Sequence, residues 1–216
     1  MIATEATKYS LNSSIDTEIK EMLAYFDAGS RRRIHKFIKD TLKTLRKHSD
    51  EKTDENARHI FRELIPASRL NKKGFAFEYS KKIQGKTPDW IDNNARIILE
   101  SYTYERGGNS NFFDRVTPII SYKCNKYKNI LEENSLRFII AIYLDFLSDT
   151  FLFEVREDYE LYSSLFKNNN LLSAILFFSE SNFVGDKQEY DFYCICVDSS
   201  IKTIKNWPFE TKNLIQ

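Results

Sequence analysis

Apolar positions early in this chain recur at intervals of three and four residues, whereas later they come in short, nearly unbroken runs. The first pattern predicts helices and the second predicts buried strands. Ile19, Met22, Leu23 and Phe26 form one helical stripe, opened by Ser14-Ile15-Asp16-Thr17-Glu18 with its acids in the first turn. Ala28-Gly29-Ser30 reads as a break. Ile34, Ile38, Leu42 and Leu45, with Phe37 beside them, stripe a second helix over 31–47. The segment 49–56, SDEKTDEN, is polar throughout and reads as a surface linker. Ile60, Phe61, Leu64 and Ile65 give the core face of a third helix over 56–70, with Pro66 placed to kink or end it.

The period then changes. Residues 75–83, FAFEYSKKI, alternate as a strand does. Asp89 opens a short strand, Asp92-Asn93-Asn94 supplies turn residues, and 96–103 is rich in Ile, Leu, Tyr and Thr, so a hairpin is expected. A Gly- and Asn-rich loop over 106–111 leads to a helix over 113–133, despite Pro118 near its start. The apolar run 137–146 reads as a buried strand, 157–166 as a short helix, and 172–179 and 190–198 as two more strands. The tail from Lys202 is turn-like around Asn206-Trp207-Pro208-Phe209. This order predicts an α/β fold, with a central mixed β-sheet flanked by helices and an N-terminal helical extension. The polar linker divides the chain into a helical hairpin over 1–50 and an α/β domain over 57–216.

A hydrophobic content of 42% in 216 residues suffices for a substantial core. The formal charge is only +1, so any surface for a polyanion has to be a local patch. No apolar run reaches the ~18 residues of a membrane span, and the first residues lack the basic-then-apolar pattern of a secretory signal. Cys124, Cys194 and Cys196 are odd in number and suggest buried small side chains rather than a disulfide framework or a zinc site. A reducing cytoplasm is the expected compartment. His35, His48 and His59 show no mutual metal-ligand spacing.

The chemistry concentrates at Asp89 and Glu100. A hairpin brings the two carboxylates side by side, where they must repel, take up a proton or share a cation. Oxygen ligands of this kind suit Mg²⁺. Glu100 closes the apolar run Ile97-Ile98-Leu99, where an unpaired charge is costly and a metal or a basic partner relieves the cost. The bland reading is a turn-capping aspartate and a surface glutamate.

The stretch from Pro88-Asp89 to Glu100 resembles the core of the PD-(D/E)XK nuclease superfamily, and so does the order of elements over roughly 57–209. The resemblance implies a Mg²⁺-dependent nuclease hydrolysing DNA phosphodiester bonds, with Asp89 and Glu100 as metal ligands. A glutamate from the preceding helix, here Glu63, completes the metal site in several members. Where the family has its lysine, two residues after the glutamate, this chain has Tyr102. Two explanations are open. A lysine from the following helix reaches the site, with Lys123 and Lys126 at i and i+3 as candidates and Tyr127 adjacent. Otherwise the chain is a catalytically inactive nuclease-fold protein that binds nucleic acid or a protein partner, a homodimer being one such arrangement. Arg31, Arg32, Arg33 and Lys36 begin a basic helix that suits phosphate-backbone contacts, or that is an ordinary solvated face.

Overall fold

The structure is a computed structural model; it describes residues 13–45, 53–104, 111–144, 158–184, 187–197, 201 and 204–214. Helix α1 (Ser13–Leu23), α2 (Ala28–Leu45) and α3 (Thr53–Lys72) precede three strands, β1 (Glu78–Tyr79), β2 (Trp90–Asp92) and β3 (Ile97–Tyr104). Helix α4 (Phe112–Asn134), strand β4 (Arg137–Leu144), helix α5 (Tyr159–Asn168), and strands β5 (Leu172–Val184), β6 (Lys187–Cys196) and β7 (Thr211–Asn213) complete the order. The seven strands form one sheet in sequence order, β1 to β7. It is mixed: β3–β4, β4–β5 and β6–β7 pair parallel, and the other neighbours pair antiparallel.

Side-chain alternation assigns the two faces. Ile97, Leu99, Ile139, Ala141, Tyr143, Ala174, Leu176 and Phe178 share a core with Ile19, Leu23 and Phe26, with Ile34, Ile38 and Leu42 of α2, and with Ile60, Leu64 and Leu70 of α3. Ile98, Ile140, Ile142, Ile175 and Phe177 share the other core with Val116, Ile120, Cys124 and Tyr127 of α4 and with Leu165 and Phe166 of α5. The sheet is thus covered by α1–α3 on one side and α4–α5 on the other. The two crossovers β3–α4–β4 and β4–α5–β5 advance the same way along the sheet, so their common handedness puts both helices on one face. All three cysteines are buried and none forms a disulfide. Among the described residues no helix is long and apolar enough to cross a membrane.

Several expectations change. Ala28-Gly29-Ser30 is no break, because it forms the first turn of α2, capped by Asp27, whose Oδ1 accepts from the amides of Gly29 (2.7 Å) and Ser30 (3.0 Å). A side chain at Gly29 would put its Cβ 2.9 Å from that oxygen, so glycine leaves room for the cap. Helix α3 starts at Thr53, inside the expected linker, and runs through Pro66. Leu64, Ile65, Ala67 and Leu70 around it are buried, and their packing outweighs one lost hydrogen bond.

The strand expected over 75–83 shrinks to Glu78–Tyr79 because side chains take its amides. Ala76 N donates to Asp92 Oδ2 at 2.6 Å, and Phe77 N donates to Asn71 Oδ1 at 2.8 Å. The chain then turns tightly at Gln84-Gly85, both at positive φ (44° and 82°), between Ile83 and Lys86. The tail holds an unexpected strand, β7, alongside Cys194–Cys196. The glycine- and asparagine-rich loop at 106–110 lies outside the described residues.

Candidate functional site

Where β2 and β3 meet beside Asp89 and Glu100, ordinary ladder bonds give way to bonds through side chains. Trp90 pairs with Leu99, so Asp89 comes opposite Glu100 at the next step. The Asp89 amide donates to Glu100 Oε1 at 3.0 Å, and the Ser101 amide donates to Asp89 Oδ2 at 2.9 Å. Backbone strands thus hold both carboxylates in place from opposite sides. The Asp89 carbonyl accepts from Ser80 N at 2.8 Å, which ties the same corner to β1.

Glu100 lies on the even-numbered face of β3, toward α4, and is 1% exposed. An ionised carboxylate there needs strong partners. Helix α4 supplies two of them, one turn apart. The Lys123 ammonium donates to Glu100 Oε2, and the Tyr127 hydroxyl donates to Oε1 at 2.5 Å. Spacing of i and i+4 places both on one helical face. Tyr127 is fully buried, and its hydroxyl also lies 3.1 Å from the Thr87 carbonyl. Lys126 Nζ sits over the Tyr127 ring, 4.6 Å from its centroid.

Glu63, on α3, approaches from the other layer. Its backbone carbonyl accepts from Trp90 Nε1 at 2.9 Å, and its carboxylate accepts from the Tyr79 hydroxyl. Burial, Asp89 and Glu100 together push the Glu63 carboxyl up to about 8, against the Tyr79 hydrogen bond, Lys123 being the weakest opposing influence. Burial and then Glu100 raise Asp89 to about 6, opposed by Lys123, the Ser101 amide and Lys126. Burial disfavours the Lys123 ammonium, but Glu100 and Asp89 overcome it and hold its pKa above the ordinary lysine value. Carboxylates therefore outnumber cations in a largely buried cluster, and the surplus negative charge is met by proton uptake or by an added cation.

Among the described residues no group of three or more His, Cys, Asp or Glu side chains is arranged to hold a metal ion. Glu63 feels the charge of Asp89 and Glu100 but turns its carboxylate to Tyr79. The remaining donor set is Asp89 with Glu100. Mg²⁺ is commonly held by one or two carboxylates, with waters and substrate phosphate oxygens completing the octahedron, so a two-carboxylate set fits it.

Tyr102 shares the Glu100 face of β3 but is only partly buried, and its ring packs against the apolar cluster under α4. In the basic helix, Arg31, Arg32 and Lys36 are exposed. Arg33 differs from them: its Nε donates to the Tyr79 carbonyl at 2.5 Å and an Nη to Ser30 Oγ at 3.2 Å, so it fastens α2 to β1. Tyr79 and the Ser101 amide are contributors that sequence reasoning missed, and no local pattern marks either. Tyr127 was within reach, being one turn beyond Lys123.

No protein-family model matches the chain, and neither a curated protein nor a solved structure matches it.

Proposed function

We propose that this protein is a Mg²⁺-dependent nuclease that hydrolyses DNA phosphodiester bonds, a divergent relative of the PD-(D/E)XK superfamily whose lysine comes from α4 instead of β3. The observation that carries the reading is the Lys123 ammonium on the buried Glu100 carboxylate, which supplies the positive charge that Tyr102 cannot. Asp89 and Glu100 are the residues that would hold Mg²⁺, Glu63 lying behind them. When bound, the ion polarises the scissile phosphate and lowers the pKa of a water beside it. Asp89 would offer the oxygen not bonded by the Ser101 amide, and Glu100 would offer Oε2, shared with the Lys123 ammonium. Lys123 stands next to that oxygen, placed to orient the attacking water and to offset charge building on the phosphate. Lys126 adds a second positive charge on the same helix. Exposed Arg31, Arg32 and Lys36 suit sequence-independent contacts to the DNA backbone.

A second reading, a nuclease-fold protein that binds nucleic acid or a protein partner without cleaving, is favoured by the lack of a third ligand gathered around one cation among the described residues. Incubation with supercoiled plasmid and with single-stranded DNA, in Mg²⁺ and in EDTA, separates the two. Cleavage that needs Mg²⁺ and vanishes in Glu100→Ala supports the first reading. Binding without cleavage supports the second.

A further inference from the structure

We infer that Tyr127 is the positioning residue for Glu100: by holding Oε1 it leaves only Oε2, which Lys123 also contacts, for a cation, and so sets a preference for Mg²⁺ over Ca²⁺. The identity of the ligand rests on the nuclease reading; the hydroxyl–carboxylate bond does not. Glu100 Oε1 accepts from the Tyr127 hydroxyl at 2.5 Å and from the Asp89 amide at 3.0 Å. Two donors occupy both lone pairs of that oxygen. Oε2 faces Lys123. Rotation of the carboxylate would break two bonds at a position with almost no access to water, so the side chain presents one oxygen and keeps the other.

Tyr127 is itself held firmly. Its ring is fully buried, packed at 5.9 Å from that of Phe138, and its hydroxyl lies 3.1 Å from the Thr87 carbonyl. The hydroxyl has one proton, and the charged carboxylate takes it in the shorter bond. Thr87 adjoins Pro88-Asp89, so the same hydroxyl touches the segment that delivers the second carboxylate. The consequence for cations follows from their geometry. Mg²⁺ demands near-ideal octahedral positions filled by single oxygens, whereas Ca²⁺ accepts carboxylates through both oxygens at longer range. A glutamate pinned at Oε1 suits the first ion. A glutamate free to rotate suits the second equally well.

The test uses the full chain, with Tyr127→Phe as the variant and Phe138→Leu as a control that loosens the packing around the ring but keeps the hydroxyl. In metal-free protein, proton NMR should show a downfield, exchange-protected hydroxyl resonance that is missing from Tyr127→Phe. Calorimetric titration with MgCl₂ and with CaCl₂ should show Mg²⁺ affinity about 10–100-fold weaker in Tyr127→Phe, the usual cost of losing a partner behind a metal ligand. Ca²⁺ affinity should change much less, and Phe138→Leu should keep the wild-type ratio even though it melts lower. Absence of the hydroxyl resonance from wild type overturns the inference. So does an unchanged Mg²⁺/Ca²⁺ ratio in Tyr127→Phe while wild type binds Mg²⁺, and the nuclease reading then survives. A wild type that shows the resonance and binds neither ion overturns the nuclease reading, and the selectivity claim with it.

Discussion

Lys123→Met should destabilise the metal-free protein by several degrees, and the loss should be repaired by neutralising Glu100. Methionine keeps most of the stem's volume and removes the ammonium. In the folded chain that ammonium sits on Glu100 Oε2, with side chains 17% and 1% exposed. Breaking a buried pair by removing one partner costs about 3–5 kcal/mol, because the other charge stays behind without compensation. Water reaches part of Lys123, so the lower end applies, about 3 kcal/mol. A chain of 216 residues has an unfolding entropy of about 0.45 kcal/mol/K, which turns that cost into a fall in Tm of about 7 °C. The assay is thermal unfolding by circular dichroism at pH 8 in EDTA. In the double variant Lys123→Met/Glu100→Gln, the amide oxygen still accepts from Tyr127 and Asp89 N, and the charge at position 100 is gone. Most of the loss should return, giving a coupling energy of about 2 kcal/mol or more. A single variant that melts within about 1 °C of wild type, or a double variant no better than the single, refutes the role given to this pair.

Four further outcomes follow. Asp89 and Glu63 titrate in the folded state at about 6 and about 8, above their ordinary 3.8 and 4.5; their contribution to stability is complete at acid pH and is lost as pH rises through those values. In urea titrations of metal-free protein, Glu63→Gln should therefore be less sensitive than wild type to a rise from pH 6 to 9, and parallel profiles would contradict the assignment. Adding Mg²⁺ at pH 8 should raise the Tm of wild type, because a ligand of the folded state stabilises it, and should not raise that of Asp89→Asn/Glu100→Gln; equal shifts would place the ion elsewhere. Arg33→Ala should cost about 1.5–3 kcal/mol in chemical denaturation by removing its bonds to Tyr79 and Ser30, while Arg31→Ala and Arg32→Ala stay within about 0.5 kcal/mol. In DNA-binding titrations against salt, replacing the exposed pair should instead lower the log–log slope by roughly 0.9 for each phosphate no longer neutralised, and an unchanged slope would mark them as an ordinary solvated face.

Much of the architecture could be read from periodicity, because burial on both faces writes itself as an unbroken apolar run. Strand β4, buried from Phe138 to Leu144, is the clearest case, and the helix expected over 113–133 matches α4 within a residue at each end. The hairpin was legible from Asp92-Asn93-Asn94, since Asp92 Oδ1 accepts from the amides of Asn94 and Ala95 at 2.9 Å, as turn residues do. Side chains acting across long distances in sequence left no such trace. Asn71 and Asp92 took the amides that would have extended β1, Asp27 moved a break into a helix start, and β7 needed the edge of β6 to exist. In the site, Glu100's position at the end of Ile97-Ile98-Leu99 already called for a metal or a basic partner, and the family lysine missing at Tyr102 turned attention to Lys123 and Lys126. The hydrogen bonds from Tyr79 to Glu63 and from Arg33 to Tyr79 join three separate elements, and no local pattern predicts them.

Lys123 standing in for the lysine missing at Tyr102 is the point on which the nuclease proposal turns. The most direct measurement is the rate of Mg²⁺-dependent plasmid cleavage by wild type and by Lys123→Met, at a temperature where both are folded. The expected result is a wild-type rate that falls at least ~100-fold in the variant, with DNA affinity nearly unchanged, because the ammonium acts on the reacting phosphate and water. Equal rates in the two proteins, or a wild type that cleaves nothing in Mg²⁺, would contradict it.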